Sequence, residues 1–381
     1  MKKNIYLLYA IALLQGMVFY GPIATLYRQA RGVSVFEITL IEGISLALAL
    51  VLEVPWGVVA DRIGYRKTMC FCSGLYFVSK LVFWQAKEFA GFLLERILLS
   101  VVLAGYSGVD TSILYLSCRG QDSQRVFGIY HSLSMVGLLL AAGVFSLIAQ
   151  ENDSLAALLT VLSYGIAAVL SLGLTEVKET GKRPVQREPF RATLRDTLRS
   201  RSLLWFLLAM ALLSETHQMV TVFLSQLQYE RCGLDHGAMG VLYMAAAVLG
   251  LLGVCSVYIT NRLGQGPSLV LFGSLAALSC VTLALTSNAV PSILGILTLR
   301  LSHTLLQPLQ SELQNRQIQT ENRATALSIH SMVLSSLAIG IELLFGVLAD
   351  RSLPVSLLFG GVLCVLSLPC LFLWQRGWKG N

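Results

Sequence analysis

The amino-acid sequence predicts an all-α integral membrane protein with twelve transmembrane helices in two pseudo-symmetric six-helix bundles. Hydrophobic residues make up 55% of the 381 positions and charged residues 13%, and the mean hydropathy is +0.70. A water-soluble domain of this length has no core large enough to hide so much apolar surface. Lipid offers the backbone no hydrogen-bond partners, and the apolar segments are too long and uniform for barrel strands, so helices are the expected form.

Apolar segments of roughly 18 to 25 residues recur along the chain, each long enough to cross about 30 Å of hydrocarbon as a helix. The first continues to about Tyr27 without a cleavage site, which predicts an uncleaved span. The predicted spans lie near 4–27, 35–60, 68–86, 89–117, 124–149, 154–176, 202–228, 236–260, 267–287, 290–315, 324–349 and 354–375. The basic interval 177–201 is a predicted cytoplasmic linker between two six-helix domains, 1–176 and 202–381.

The positions of Lys and Arg predict the orientation. With both termini in the cytoplasm, twenty of the 28 Lys and Arg residues fall inside and five outside. This positive-inside bias predicts a multi-pass protein of the cytoplasmic membrane with both termini cytoplasmic. Topology then explains the net charge of +7, and nucleic acid is not needed as a partner. The basic linker is expected either to lie on the membrane as an amphipathic helix or to be solvated; the pattern favours neither.

A charged, glycine-punctuated loop separates the second and third predicted spans, and residues 261–264, Asn-Arg-Leu-Gly, repeat part of it in the second half. The loop resembles the motif Gly-x-Leu-Ala-Asp-Arg-x-Gly-Arg-Lys of the major facilitator superfamily. The matching positions are Gly57, Ala60, Asp61, Arg62 and Gly64, whereas Tyr65 replaces a basic residue and Val59 replaces Leu. A second pair of related stretches, 124–128 and 322–328, opens the fifth and eleventh spans. The resemblance covers nearly the whole chain and implies that family's fold.

The resemblance implies that Asp61 engages the opposite half of the bundle and latches the outward-open state. A carboxylate close to a helix N-terminus is also favoured by roughly 0.3–1 kcal/mol. Arg62 and Arg66 are expected to pair with Asp110 in the cytoplasmic half of span four. The predicted latch comprises Gly57, Asp61, Arg62, Gly64, Arg66 and Asp110. The alternative is that these are solvated charges that only set the topology.

Arg96 and Arg300 lie inside the fourth and tenth predicted spans. The resemblance implies that spans one, four, seven and ten line a central cavity, which would bring both arginines near the substrate path. Either they bind an anionic group of the substrate bidentately, or fixed carboxylates neutralise them. The carboxylates in reach are Glu42 or Glu95 for Arg96 and Glu215 for Arg300. Their availability favours the second interpretation.

Ionisable groups within spans are costly unless they face a partner or a wet cavity, so they indicate transport. A carboxylate whose access alternates between water and protein can load and release a proton. The proton-coupling candidates are Glu53, Asp110, Glu215 and Glu342, and His217, His303 and His330 also lie within spans. Structural pairing is the alternative role for each of these residues.

Substrate contacts are expected on the spans that line the cavity, where aromatic and hydrogen-bonding side chains suit an amphiphilic organic molecule. Ordinary interhelical packing is the alternative role for each of them. The candidates are Gln15, Phe19, Tyr20, Arg96, Glu215, Gln218, Arg300, His303 and Gln307.

These patterns predict a monomeric secondary transporter that works by alternating access. The leading prediction is proton-coupled export of an amphiphilic or drug-like compound, although the fifth span lacks the Gly-Pro-x-x-Gly-Gly pattern that is typical of proton-antiporting drug exporters. The alternatives are uptake or exchange of a small anionic metabolite, and a receptor or scaffold that does not transport. An enzyme is not predicted, because no catalytic signature stands out in the sequence, and without a phosphate-binding loop ATP-driven transport by this chain alone is not expected. The eight cysteines lack metal spacing, so neither a metal nor a cofactor is expected.

Overall fold

The computed structural model describes residues 2–106, 109–118, 123–149, 152–177, 195, 199–318 and 323–379. Within these ranges every regular element is a helix, and the all-helical fold predicted from composition is confirmed. Most of the basic linker, and with it the predicted amphipathic segment, lies outside the described residues, as do the side chains of Glu53, Gly57 and Asp61.

The described residues of the first half form eight α-helices, several of which join end to end into membrane-length segments. Their bounds are α1 Lys2–Gly16, α2 Ala24–Gln29, α3 Val35–Ile63, α4 Tyr65–Gln85, α5 Phe89–Tyr106, α6 Val109–Ser117, α7 Ser123–Val144 and α8 Asp153–Leu172. A break at Gly21 and Pro22 separates α1 from α2, and α7 continues as a π-helix over Phe145–Ala149.

The part of the second half that the structure describes forms another eight α-helices. Their bounds are α9 Arg201–Gln218, α10 Ser225–Arg231, α11 His236–Leu249, α12 Ser256–Leu263, α13 Gln265–Leu285, α14 Ala289–Arg316, α15 Arg323–Arg351 and α16 Leu353–Lys379. A π-helix, Met219–Leu224, connects α9 to α10, and a 3-10 segment, Gly250–Cys255, connects α11 to α12. Neither irregularity is visible in the hydropathy pattern.

Eleven stretches of the described chain are long and apolar enough to cross a membrane. The third predicted span, 68–86, corresponds to α4, which has the length of a span but a lower hydropathy. The difference arises because α4 carries Lys80 together with several hydroxyl residues.

The chain forms two compact units, whose bounds differ from the predicted domains. Unit 1 contains Met1–Arg183 and His236–Met244, and unit 2 contains Pro184–Asp235 and Ala245–Asn381. The first turns of α11 belong to unit 1 because Gly240 packs directly against Ser146 and His236 Nδ1 lies 3.7 Å from Asp153 Oδ1.

Single glycines separate α3 from α4 and α12 from α13. Gly64 and Gly264 have φ values of +94° and +89°, a conformation that side chains with a Cβ rarely adopt. Each therefore allows an abrupt reversal between two helices. The sequence repeat between the two halves thus corresponds to a repeat of backbone conformation.

Helices α1 and α7 approach backbone to backbone at two glycines. A Cβ at Gly137 would collide with the carbonyl oxygen of Leu13, and a Cβ at Gly16 would collide with that of Ser134. Small residues at such contacts allow van der Waals packing to hold membrane helices together.

Replacing Gly137 by alanine is expected to lower the free energy of unfolding by about 1–3 kcal/mol, the usual effect of overpacking. Thermal unfolding of the purified protein in detergent measures the change. Gly128→Ala, on the same helix, is the matched control because no atom outside its helix lies within 4 Å of the added Cβ. Equal stability of the two variants would contradict the predicted contact.

Candidate functional site

A cavity of about 620 Å³ lies in unit 2, between the C-terminal part of α9 and the middle of α14. Its volume falls in the range of sites for small organic ligands. Nine residues line it: Ser214, Glu215, His217, Gln218, His303, Gln307, Pro308, Gln310 and Ser311. Four predicted substrate residues, Glu215, Gln218, His303 and Gln307, therefore share one cavity.

Two histidine rings stack in the wall of this cavity. The ring centroids of His217 and His303 are 3.8 Å apart and the planes are inclined by 5°. Arg300 Nη1 lies 3.4 Å from His217 Nε2. Arg300 Nε donates a hydrogen bond to the carbonyl oxygen of Ala246 at 3.2 Å. A guanidinium can only donate, so this contact requires Nε2 of His217 to accept, as in a neutral imidazole. The His217 ring is therefore already engaged by a cation.

The Glu215 carboxylate is the acidic group in the described lining of this cavity. It is half-buried and lines the cavity, yet no hydrogen bond or ion pair to its side chain is found among the described residues. The expected pairing of Glu215 with Arg300 is accordingly not observed in this part of the chain. An ionised carboxylate within a membrane-spanning helix is costly without compensation, so this group can bind a proton or a cationic ligand.

In unit 1, two arginines converge on one carboxylate. Arg96 and Arg28 both contact Oε1 of Glu42, the latter at 3.5 Å. The Arg28 side chain is 6% exposed, the Glu42 side chain 14% and the Arg96 side chain 20%. Arg96 is thus neutralised by a fixed carboxylate, as the favoured interpretation expected. Arg28 is one of the five Lys and Arg residues that the predicted topology counts as outside, but its side chain is buried in α2, which follows the 3-10 turn Gly21–Ile23.

A second buried ion pair, between Lys80 and Glu95, lies next to the cluster of Arg28, Arg96 and Glu42. The ammonium group of Lys80 is 3.1 Å from Glu95 Oε1 and donates to the phenol of Tyr20 at 3.1 Å. Its nitrogen lies 5.3–5.8 Å from the ring centres of Tyr20, Tyr76 and Tyr164. Lys80 and Glu95 are almost fully buried, and pairing is what makes such charges tolerable in a membrane protein.

The predicted substrate residues of span one take part in packing within unit 1. Gln15 donates to the hydroxyl of Tyr106 at 2.7 Å, and the backbone N–H of Phe19 donates to Thr160 at 3.0 Å. Phe19 and Tyr20 are buried, and Tyr20 stacks on Phe83 with centroids 4.0 Å apart. The roles of Gln15, Phe19 and Tyr20 in substrate binding stay predictions.

Two latch residues have contacts other than those predicted. Asp110 accepts hydrogen bonds from the Tyr130 hydroxyl at 2.8 Å and from the Thr111 N–H at 2.7 Å. Arg66 donates through its backbone N–H to Glu176 and through its side chain to the carbonyl of Leu172. Within the described residues neither Arg62 nor Arg66 forms an ion pair with Asp110. Arg66 instead binds the C-terminal end of α8.

The latch role of the loop stays a prediction, because the side chain of Asp61 lies outside the described residues. The balance of inward and outward accessibility in an Asp61→Asn variant tests it. Among the other proton-coupling candidates, Glu342 is buried in α15 and is not part of the cavity lining, and the Glu53 side chain is not described.

The described chain combines two helical units, a polar cavity and buried ion pairs between membrane-length helices. This combination is typical of a solute carrier. The chain belongs to the Major Facilitator Superfamily, whose family model matches residues 5–341. Membership of this family indicates a transporter rather than an enzyme.

Comparison with known proteins agrees with this assignment. An uncharacterized MFS-type transporter of Methanocaldococcus jannaschii is 29% identical over 141 residues, and the match spans 36% of this chain and 36% of that protein. The crystal structure of the nucleoside transporter NupG covers 100% of both chains with a TM-score of 0.80 at 14% identity. A bacterial homolog of the human lysosomal transporter Spinster, inward-facing and occupied, has a TM-score of 0.77 at 15% identity and covers 98% of this chain and 96% of its own. At these identities the likeness concerns the fold alone.

Proposed function

We propose that this protein is a secondary active transporter that exports a small organic cation in exchange for protons by alternating access. The observation that carries the proposal is the Glu215 carboxylate, which lines a cavity of about 620 Å³ and has no side-chain partner among the described residues. Proton and cationic solute would occupy this carboxylate in turn. An inward proton gradient would then drive the solute outward, since the two ligands exclude each other.

The lining of the cavity favours a cationic or neutral solute with hydrogen-bonding groups. It contributes one carboxylate, two imidazoles, three amides and two hydroxyls, and neither Lys nor Arg is among the described lining residues. A compound with amino groups and an apolar body, including an amphiphilic or drug-like compound, matches this combination. The stacked rings of His217 and His303 add a flat aromatic surface.

Transport of a small anion is the second candidate, and one contact favours it. Arg300 reaches His217 in the cavity wall, so a modest movement of its guanidinium would bring positive charge into the cavity. Arg96 supports this alternative less, because Glu42 already compensates its charge.

The proposed setting is the cytoplasmic membrane, with both termini in the cytoplasm and the protein acting as a monomer. The distribution of Lys and Arg supports this orientation. The eleven membrane-length helices of the described chain support the membrane setting.

Ligand-induced stabilisation of the purified protein in detergent tests the proposal. Ethidium and tetraphenylphosphonium are the cationic probes, and benzoate and naphthalenesulfonate are the anionic ones. A ligand that binds only the folded state at 100 times its Kd stabilises it by about 2.7 kcal/mol. We expect stabilisation by the cations, larger at alkaline than at acidic pH because protons compete for Glu215. Stabilisation by the anions alone would overturn the proposal in favour of the second candidate.

A further inference from the structure

The two stacked histidines in the cavity of unit 2 are held in different ways. His217 is 3% exposed, and Nε2 of its ring lies 3.4 Å from Arg300 Nη1 and 3.2 Å from the Thr221 hydroxyl oxygen. Contacts on this side, together with burial of the ring, fix the plane of the His217 imidazole. The ring is therefore a rigid support for whatever lies against it.

His303 is the half-buried ring of the stack, and it lines the cavity. One face of its imidazole lies against His217, with ring centroids 3.8 Å apart and planes inclined by 5°. What the cavity meets is therefore the opposite, outer face of the His303 ring and its edge. Because aromatic rings associate by offset stacking, the outer face suits one more flat ring.

Hydrogen-bonding side chains follow His303 along the same side of α14. Gln307 lies four residues after His303, Ser311 lies four residues after Gln307, and all three line the cavity. Residues four apart on a helix are neighbours on its surface. A flat ligand on His303 therefore has polar groups beside its edge, and α9 supplies the Glu215 carboxylate from the other wall.

A flat ring beside a carboxylate discriminates between cations of equal charge. A saturated ammonium ion has tetrahedral substituents, so only a few of its atoms can touch the His303 ring at one time. An aromatic cation can lie parallel to this ring, and such stacking is favourable beyond the area that it buries. Because both kinds of cation can pair with Glu215, the histidine stack decides between them.

We propose that His303 is a specificity-determining residue, which makes this cavity select planar aromatic cations over saturated ammonium ions. The ligand stacks on the outer face of the His303 ring, and Glu215 compensates its charge. N-alkylated fused heteroaromatic rings represent this class of substrate. The inference rests on the proposed function, because it names the substrate class of the same cavity.

Two cations of matched skeleton and charge test this selectivity. 1-Methylquinolinium is flat and aromatic, whereas 1,1-dimethyldecahydroquinolinium has the same fused rings in saturated form, and both carry a permanent charge. Isothermal titration calorimetry of the purified full-length protein in detergent measures the Kd of each. We expect the planar cation to bind about fivefold more tightly, the usual scale of one aromatic stacking contact.

Substitutions of His303 separate stacking from a structural role. His303→Ala is expected to reduce the preference to less than about twofold, whereas His303→Phe keeps a flat ring and is expected to retain about fivefold. A partly unfolded variant binds less ligand, but the ratio of its two Kd values is unaffected. His131→Ala is the matched control, because His131 is an exposed residue of α7 outside the described cavity lining. It is expected to leave both Kd values unchanged.

The possible outcomes distinguish this inference from the proposed function. Equal Kd values for the two cations, tighter binding of the saturated cation, or an unchanged preference in His303→Ala would overturn the role of His303. Each of these results would leave proton-coupled export of a cation in place. Failure of both cations to bind, together with stabilisation of the protein by benzoate or naphthalenesulfonate, would overturn the proposed function and this inference with it.

Discussion

Glu215→Gln is expected to reduce proton-driven export of ethidium to the rate of protein-free liposomes. Glutamine has nearly the shape of glutamate but cannot exchange a proton, so the proposed coupling is lost while the cavity is kept. Ethidium binding is also expected to lose its pH dependence, because the ionised carboxylate that attracts the cation at alkaline pH is absent. Proteoliposomes with an imposed pH gradient, and a pH-sensitive dye inside, measure both solute and proton movement.

Glu230→Gln is the matched control for this experiment. Glu230 lies on α10 in the same unit and is exposed, so its replacement removes one carboxylate without touching the cavity. It is expected to leave transport and proton movement unchanged. Unaltered proton movement in Glu215→Gln would remove this residue from the coupling mechanism and leave Glu53, Asp110 and Glu342 as candidates.

Glu42→Gln is expected to produce a large loss of stability in unit 1. A buried guanidinium, Arg28, and a largely buried one, Arg96, share this carboxylate, and its removal leaves both without it. Breaking a buried ion pair on one side typically costs about 3–5 kcal/mol. Thermal unfolding in detergent, followed by tryptophan fluorescence, measures the shift.

The exposed Glu88 provides the control for Glu42, since Glu88→Gln is expected to change the free energy of unfolding by less than about 0.5 kcal/mol. A double variant, Glu42→Gln with Arg96→Gln, is expected to recover part of the loss because fewer unpaired charges remain buried. A Glu42→Gln protein as stable as Glu88→Gln would show that water or lipid, rather than Glu42, compensates the arginines.

Hydropathy alone was sufficient to predict the helical fold, because lipid requires every backbone group to be paired within the chain. Four residues of the cavity were also predictable, since Glu215, Gln218, His303 and Gln307 are polar positions on two apolar spans of the same half. Polar groups in such spans are retained where they face protein or water.

The sequence could not predict which side of a helix faces a neighbour. Gln15 and Tyr20 have the chemistry of substrate contacts, yet the rotation of their segment directs them to Tyr106 and Lys80. A 3-10 turn, Gly21–Ile23, precedes the helix that carries Arg28. The hydropathy pattern does not reveal this turn, so the burial of Arg28 beside Glu42 could not be predicted. The π-helix that begins at Met219, just after Glu215 and His217, was likewise not predicted, since such segments are rare and hydropathy does not mark them.

The tyrosines around Lys80 surround a cation that belongs to the protein itself. Rings and a carboxylate placed in this way would otherwise suit the ammonium group of a small molecule. Because Lys80 belongs to the same chain, its ammonium group competes with any free amine for the tyrosine rings and Glu95, at an effective concentration of about millimolar or higher. A free amine would therefore have to displace Lys80 in order to bind there. The aromatic site around Lys80 is thus already occupied by a cation, whereas Glu215 in unit 2, the proposed acceptor, has no side-chain partner among the described residues.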